Sequence, residues 1–165
     1  MWQTHFTFLA GLSDHDWLAR IIIPQQIILN LQADDHENAC RELIDKIIPA
    51  SRQSDRELCL QDVIEREKIT ATSLGHGVAL PHGITRGTGS IQAAIGIKPE
   101  GLPGSGGSIE QSVKIMLLCL CPETQHREYL HFTFLAANIL LLEDNRSDLL
   151  NANTPEQARD IMLRI

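Results

Sequence analysis

Residues 66–83 read REKITATSLGHGVALPHG, and no other part of the chain combines a charged helix end, a glycine-bracketed turn, an apolar run and a histidine. The glycines on either side of His76 permit backbone angles that other residues resist. Residues 78–80 predict a short buried strand. Pro81 has a fixed φ and no N–H, so it stiffens the chain just before His82. We therefore expect His82 to leave the end of a strand as an imidazole presented to another molecule.

The chemistry open to such a histidine includes covalent transfer of a phosphoryl group. Its unperturbed pKa of about 6.5 leaves much of it as an uncharged nucleophile near neutral pH. A phosphoryl group needs nearby cations or backbone donors. Arg66 supplies a planar guanidinium, and the turn at residues 75–77 could supply N–H groups. The alternative for an isolated Pro-His-Gly is a proline turn whose histidine merely caps a strand.

The whole segment resembles the active-site motif of enzyme IIA domains of the fructose/mannitol type (EIIA type 2), and its residues are most similar to those of the nitrogen-regulatory branch. These domains belong to the bacterial phosphoenolpyruvate-dependent sugar phosphotransferase system. The motif is filled, in order, by Arg66-Glu67, Thr72, Gly75-His76-Gly77, Val78-Ala79-Leu80 and Pro81-His82-Gly83. The resemblance implies that His82 is phosphorylated and that Arg66 steadies the phosphohistidine. It further implies supporting roles around the phosphate for Thr72, Gly75, His76, Gly77 and Gly83, although a turn position explains His76 equally well.

Many members of that family carry an auxiliary histidine near the start of the long helix that follows, just before a leucine. Ungapped counting from Pro122 places Tyr129-Leu130 there, with tyrosine in place of histidine. An insertion would instead place His131 in that position. Solvated histidines on a helix face are the alternative interpretation.

The pattern of helices and strands predicts an α/β fold with a mixed β-sheet flanked by helices on both faces, as the resemblance also implies. Apolar spacing predicts a helix over 35–48 and another from Ser54 to about Glu65, which delivers Arg66 and turns Leu58, Val63 and Ile64 inward. The remaining predicted elements are strands over 91–97 and 113–121, a loop over 98–111, a long helix over 123–142 and a last helix that begins at Thr154.

Length and composition favour one domain in a chain of 165 residues. We expect residues 1–20 to be a preamble and residues 21–165 to form the EIIA type 2 domain. The net charge of −7 argues against non-specific binding of nucleic acid, and no apolar run reaches the length of a transmembrane helix. No signal peptide is apparent, and the four cysteines lack zinc-type spacing, so we expect a cytoplasmic protein with reduced, mostly buried thiols.

By resemblance, the expected function is that of a phosphocarrier without cofactor or metal. His82 would accept phosphate from the histidine-containing phosphocarrier protein and pass it to a cysteine of an EIIB component. The alternative is a regulatory binding module, of the nitrogen-regulatory type, whose contacts depend on phosphorylation of His82. A hydrolase with His82 as general base is a third alternative, and the absence of an obvious nucleophile partner argues against it.

Overall fold

The structure is a computed structural model, and it describes residues 11–102 and 112–165. The described helices are α1 (Asp14–Ile21), α2 (His36–Ile47), α3 (Gln53–Ile69), α4 (His126–Leu141), α5 (Glu143–Leu150) and α6 (Pro155–Met162). The described strands are β1 (Ile27–Ile28), β2 (Ser73–Gly75), β3 (Val78–Ala79), β4 (His82–Ile84), β5 (Gln92–Ile97) and β6 (Ile115–Cys121). Short 3₁₀ turns precede β1, α3 and α4.

The sheet is mixed, as predicted, and β6 is its central strand. Its order is β1-β5-β6-β3-β2. β5 pairs with β6 in an antiparallel arrangement, whereas β3 and β4 both pair with β6 in parallel. These two short strands occupy successive parts of one edge of β6, because Leu80-Pro81 interrupts them. The Cys119 amide still donates to the Pro81 carbonyl, at 3.0 Å, so pairing resumes directly at His82.

Helices cover both faces of this sheet, which confirms the predicted architecture. On one face α1, α4 and α6 pack over Leu117 and Cys119 of β6. On the other face α2 and α3 pack over Leu118 and Leu120. Successive residues of β6 face opposite sides of the sheet, because side chains alternate along a strand. Since helices cover both sides, every residue of β6 is buried. Each fully buried leucine or isoleucine contributes about 1.5–3 kcal/mol relative to an exposed one, so the two faces together hold β6 in place.

Several predicted elements are confirmed. α2 is capped by Asp35, whose carboxylate accepts from the Asn38 amide at 2.8 Å, and it ends before Pro49. α6 begins after Thr154, whose hydroxyl accepts from the Gln157 amide at 3.2 Å. All four cysteines are free and buried.

The second predicted helix was wrong in its start, its end and part of its inward face. α3 begins at Gln53 without a side-chain cap, so Ser54 is inside the helix, and it continues four residues past Glu65. Leu58 is 37% exposed, whereas Cys59 is fully buried. Apolar residues are not concentrated on one side of α3, so its sequence alone does not show which side is buried. The buried side is the one that packs on β4. The prediction also missed α5, which is rich in charged and polar residues.

Two parts of the prediction fall partly outside the described residues: the preamble over 1–20, of which 1–10 are not described, and the loop over 98–111, of which 103–111 are not described. Within the described part, α1 places Trp17 and Leu18 in the core and crosses the expected boundary at residues 20 and 21. Among the described helices, none has both the length and the apolarity needed to cross a membrane.

Candidate functional site

Arg66 and His82 meet where the last turn of α3 lies over the start of β4. The Arg66 Nε donates a hydrogen bond to the His82 Nε2 at 3.2 Å. The close approach of the two elements depends on Gly83, because a Cβ at this position would lie 2.9 Å from the Val63 Cγ2. Val63 precedes Arg66 by three residues and therefore shares its side of the helix. The helix that carries the arginine thus sits against the strand that carries the histidine.

His82 is more buried than the sequence suggested. It begins β4 opposite Cys119 and is 5% exposed, rather than projecting from the end of a strand. The ring of Tyr129 from α4 stacks on the imidazole, with centroids 4.6 Å apart and planes inclined by 26°. Pro81 interrupts the strand between β3 and β4, but pairing with β6 resumes after it. His82 is therefore part of the sheet.

The surroundings of His82 favour the neutral imidazole. Burial lowers its pKa most, and the positive charge of Arg66 lowers it further, whereas the Leu80 backbone and Glu67 oppose these effects. The Arg66 N–H points at Nε2, so Nε2 presents its lone pair and the proton of the neutral ring belongs on Nδ1. That Nδ1 is buried and makes no hydrogen bond of standard geometry with the described residues.

Arg66 retains donors for an additional group. Its Nε contacts His82, and neither terminal nitrogen forms a hydrogen bond or ion pair with any residue in the described ranges. A guanidinium presents several N–H donors in one plane, which suits the oxygens of a phosphoryl group. The arrangement can therefore stabilise negative charge that develops beside Nε2.

Thr72 and Glu67 form a neighbouring network rather than a phosphate loop. The Thr72 hydroxyl donates a hydrogen bond to the Glu67 carboxylate, whose other oxygen lies 3.3 Å from the His36 Nε2. Burial raises the pKa of Glu67, but the hydrogen bonds from His36 and Thr72 outweigh it and the net pKa is lowered. Thr72 therefore holds the Glu67 carboxylate in place and does not reach His82 through any described contact.

The glycine turn lies away from His82. Gly75, His76 and Gly77 have φ values of 79°, 55° and 75°, typical of the tight turn that joins β2 to β3. The Gly77 carbonyl accepts from the Ile115 amide, whereas His82 is opposite Cys119, four residues further along β6. That separation is about 13 Å at the rise of a strand. The structure therefore gives these three residues a role in the hairpin and does not bring them to the imidazole.

The two candidates on α4 lie on different sides of that helix. Tyr129 contacts His82, as described above. The His131 Nε2 lies 2.8 Å from a carboxylate oxygen of Asp14, and the His131 ring packs 5.0 Å from that of Trp17. Residues two apart on a helix point about 200° apart, so one of the pair faces α1 when the other faces the site.

His126, the first residue of α4, was interpreted from the sequence as a solvated histidine on a helix face, and it is exposed. Its ring nevertheless lies 5.9 Å from that of Tyr129, and its charge lowers the pKa of His82. The spacing of three residues places His126 and Tyr129 on one side of the helix.

The chain is similar in sequence to known proteins. Residues 20–165 match the family model described as the phosphoenolpyruvate-dependent sugar phosphotransferase system, EIIA 2. The fructose-specific EIIA component of Haloferax volcanii is 26% identical over 129 residues, which cover 78% of this chain and 83% of that protein.

Two solved structures have the same fold. The nitrogen regulatory protein IIA-Ntr of Neisseria meningitidis gives a TM-score of 0.76 at 23% identity, over 88% of this chain and 99% of that one. The mannitol enzyme IIA of Escherichia coli, solved in complex with phosphorylated enzyme IIB, gives a TM-score of 0.63 at 18% identity. This match covers 92% of this chain and 96% of that one.

Proposed function

Because this chain belongs to the EIIA 2 family of the phosphoenolpyruvate-dependent sugar phosphotransferase system, we propose that it is a phosphocarrier whose acceptor is His82. In this proposal the histidine-containing phosphocarrier protein donates the phosphoryl group to His82. His82 then passes it to a cysteine of an EIIB component. Family membership supports a phosphotransferase role in general. The assignment to His82 is our inference from the site.

The contact between Arg66 and His82 carries this proposal. A hydrogen bond of 3.2 Å from the guanidinium to Nε2 marks that nitrogen as the unprotonated one, whose lone pair accepts from Arg66. It also places a permanent positive charge where a phosphoryl group on Nε2 would carry its negative charge. The lowered pKa of His82 keeps the ring neutral, and hence nucleophilic, at pH 7.

The transfer we propose is a single displacement at phosphorus. The Arg66 hydrogen bond to Nε2 is released, and the guanidinium turns its N–H groups to the phosphoryl oxygens. The Nε2 lone pair then forms the new N–P bond while the bond from phosphorus to the donor atom breaks, and that bonding pair leaves with the donor. The proton on Nδ1 remains on the ring. In the second step a thiolate of the EIIB component attacks phosphorus, and the electron pair of the N–P bond returns to Nε2. Positioning and charge stabilisation suffice for such steps, so the proposal requires no metal or organic cofactor from this chain.

The partners in this proposal follow from the family. EIIA domains work with EIIB components, as in the mannitol IIA–IIB complex of Escherichia coli. We infer that residues 21–165 form the unit that meets both protein partners, and that it acts in the cytoplasm as the sequence suggests.

Incubation with phosphoenolpyruvate, enzyme I and the phosphocarrier protein tests the proposal. Wild type should gain acid-labile phosphate, and His82→Ala should not. His126→Ala and His131→Ala are matched controls on α4 and should still be labelled. Equal labelling of wild type and His82→Ala would refute the assignment.

A regulatory role is the second candidate, and the likeness to IIA-Ntr favours it. In this version phosphorylation of His82 changes the charge at the site and thereby alters contacts with a regulated protein. Adding a purified EIIB component to the labelled protein separates the two roles. Rapid movement of phosphate to the EIIB cysteine supports transport, whereas label that stays on His82 supports regulation. The genes encoded beside this one give a second criterion, since adjacent EIIB and EIIC genes favour transport.

A further inference from the structure

Among the residues that the structure describes, Tyr129 makes the closest aromatic contact with His82, and its consequences extend beyond simple packing. The two rings are nearly parallel, with centroids 4.6 Å apart, which is the offset-stacked arrangement that aromatic rings prefer. Tyr129 is held on one side by α4 and is partly buried against the core cluster that α4 covers. A rigid helix therefore presents a flat apolar surface to one face of the imidazole.

This stack restricts the direction in which His82 can react. The Nε2 lone pair lies in the plane of the imidazole, so the orientation of the ring decides the line along which phosphorus must approach. Arg66 contacts the ring edge at Nε2, and this single hydrogen bond leaves the ring free to tilt about it. The Tyr129 ring, stacked on the face of the imidazole, prevents this tilt. In-line transfer is sensitive to such alignment, because misplacement of about 1 Å can cost two orders of magnitude in rate.

The same ring excludes water. His82 is 5% exposed although it lies at the edge of the sheet, and Tyr129 covers the face that α4 meets. The charged groups that act on the imidazole are Arg66 and Glu67 from α3 and His126 from α4. Cys119 lies opposite His82 on β6, and burial raises the pKa of its thiol, which is therefore neutral. Tyr129 adds no charge to this set, since burial raises the pKa of its phenol.

We propose that Tyr129 is a positioning residue for His82, which fixes the plane of the imidazole for transfer and shields the phosphohistidine from water. The proposal rests on the proposed function of His82. The reaction that the shield slows is hydrolysis, in which a water oxygen bonds to phosphorus, the N–P bond breaks, and its electron pair returns to Nε2 with release of inorganic phosphate. The phenol ring acts by contact alone and takes no part in bond making.

Replacement of the ring by a flexible apolar side chain tests this. Tyr129→Leu and Tyr129→Met remove the flat surface in two ways, so that a failure of one variant to fold leaves the other. Tyr129→Phe keeps the ring and removes only the hydroxyl. Phe134→Leu removes an aromatic ring that is 61% exposed on the same helix and serves as the matched control.

The first measurement is an NMR titration of the His82 ring, which requires no phosphate. Admitting water should raise the pKa of His82 towards its ordinary value in Tyr129→Leu and Tyr129→Met, because burial is the main cause of its lowering. Tyr129→Phe and Phe134→Leu should titrate like wild type. An unchanged pKa in both ring-deleting variants would overturn the proposal.

The second measurement is the lifetime of phosphohistidine after labelling with phosphoramidate, a small-molecule phosphoryl donor that needs no protein partner. Hydrolysis should be about two- to tenfold faster in the two ring-deleting variants, the range that the free energy of a stacked aromatic pair allows. Equal lifetimes in wild type and both variants would refute the shielding role. If wild type takes no label on His82, the proposed function fails, and the titration still decides the contact between Tyr129 and His82.

Discussion

Gly83 and Val63 lie so close that no side chain fits between them: a Cβ on Gly83 would be 2.9 Å from the Val63 Cγ2. Gly83 follows the candidate nucleophile by one residue, and Val63 precedes the candidate cation by three. The distance between β4 and α3 is therefore set at this contact, and the 3.2 Å hydrogen bond between Arg66 and His82 depends on it.

Gly83→Ala should weaken both the fold and the site. The added methyl group must displace Val63 or the helix, so we expect a loss of about 1–3 kcal/mol in the free energy of unfolding, as is typical of overpacking. Phosphorylation of His82 should slow in parallel, because Arg66 moves away. Denaturant unfolding and a labelling time course measure the two effects.

Two further variants identify the cause. Val63→Ala should offset part of the loss when combined with Gly83→Ala, giving a coupling energy of about 0.5 kcal/mol or more. Gly89→Ala is the matched control, since a Cβ there meets nothing within 4 Å, and it should leave stability unchanged. Simple additivity of Gly83→Ala and Val63→Ala would contradict the account.

Arg66→Ala should slow phosphorylation by about 10²–10³, the usual effect of losing one group that stabilises charge in the transition state. Arg66→Lys should recover part of the rate, because it keeps the charge and loses the planar fork. Initial rates at saturating donor measure this. Lys68→Ala, which removes an exposed cation two residues away, should be close to wild type. A comparable loss in Lys68→Ala would point to net charge alone.

The pKa of His82 should respond in opposite directions to its two charged neighbours. Arg66 lowers this pKa and Glu67 raises it. Arg66→Ala should therefore raise the titration midpoint, and Glu67→Gln should lower it. Glu65→Gln, at an exposed position on the same helix, should leave it unchanged. NMR titration of the ring gives the three values. A rise in Glu67→Gln would show that its network with His36 and Thr72 affects the site through structure and not through charge.

Stability should depend on pH through the same histidine. The pKa of His82 is lower in the folded protein than in the unfolded chain, where it is about 6.5. As pH falls below about 6.5 the unfolded state binds the proton first, so the folded state loses stability until the pH passes the lower folded value. We expect the free energy of unfolding of wild type, relative to His82→Gln, to decrease over this interval and to level off below it. A difference that stays constant from pH 7.5 to pH 4.5 would contradict the lowered pKa.

The architecture could be predicted from the sequence because its signals are local. The apolar run that becomes β6, the apolar spacing of α2 and the Thr154 cap of α6 each indicate their element without reference to the rest of the chain. The missed helix, α5, has few apolar residues and is held by its neighbours. The ends of α3 were misplaced for a similar reason: packing on β4, rather than a cap, determines where that helix begins and which face is buried.

The site was less predictable because it is assembled across distant parts of the chain. Arg66 and His82 were identified from one motif, and their contact agrees with it. The burial of His82 depends on Tyr129, 47 positions later, and on pairing with β6. Sequence proximity also misled: Gly75, His76 and Gly77 are close to His82 along the chain, yet an extended strand carries them away from it. The proximity of His126 to Tyr129 could not be predicted, because it depends on how α4 follows β6.

The most direct test of the central claim is an NMR determination of which atom carries the phosphate. After labelling of the ¹⁵N-enriched protein, correlation of phosphorus with the ring nitrogens should locate the N–P bond at Nε2 of His82, beside the guanidinium of Arg66. Phosphorus on Nδ1 of His82, or on any other residue, would contradict the account.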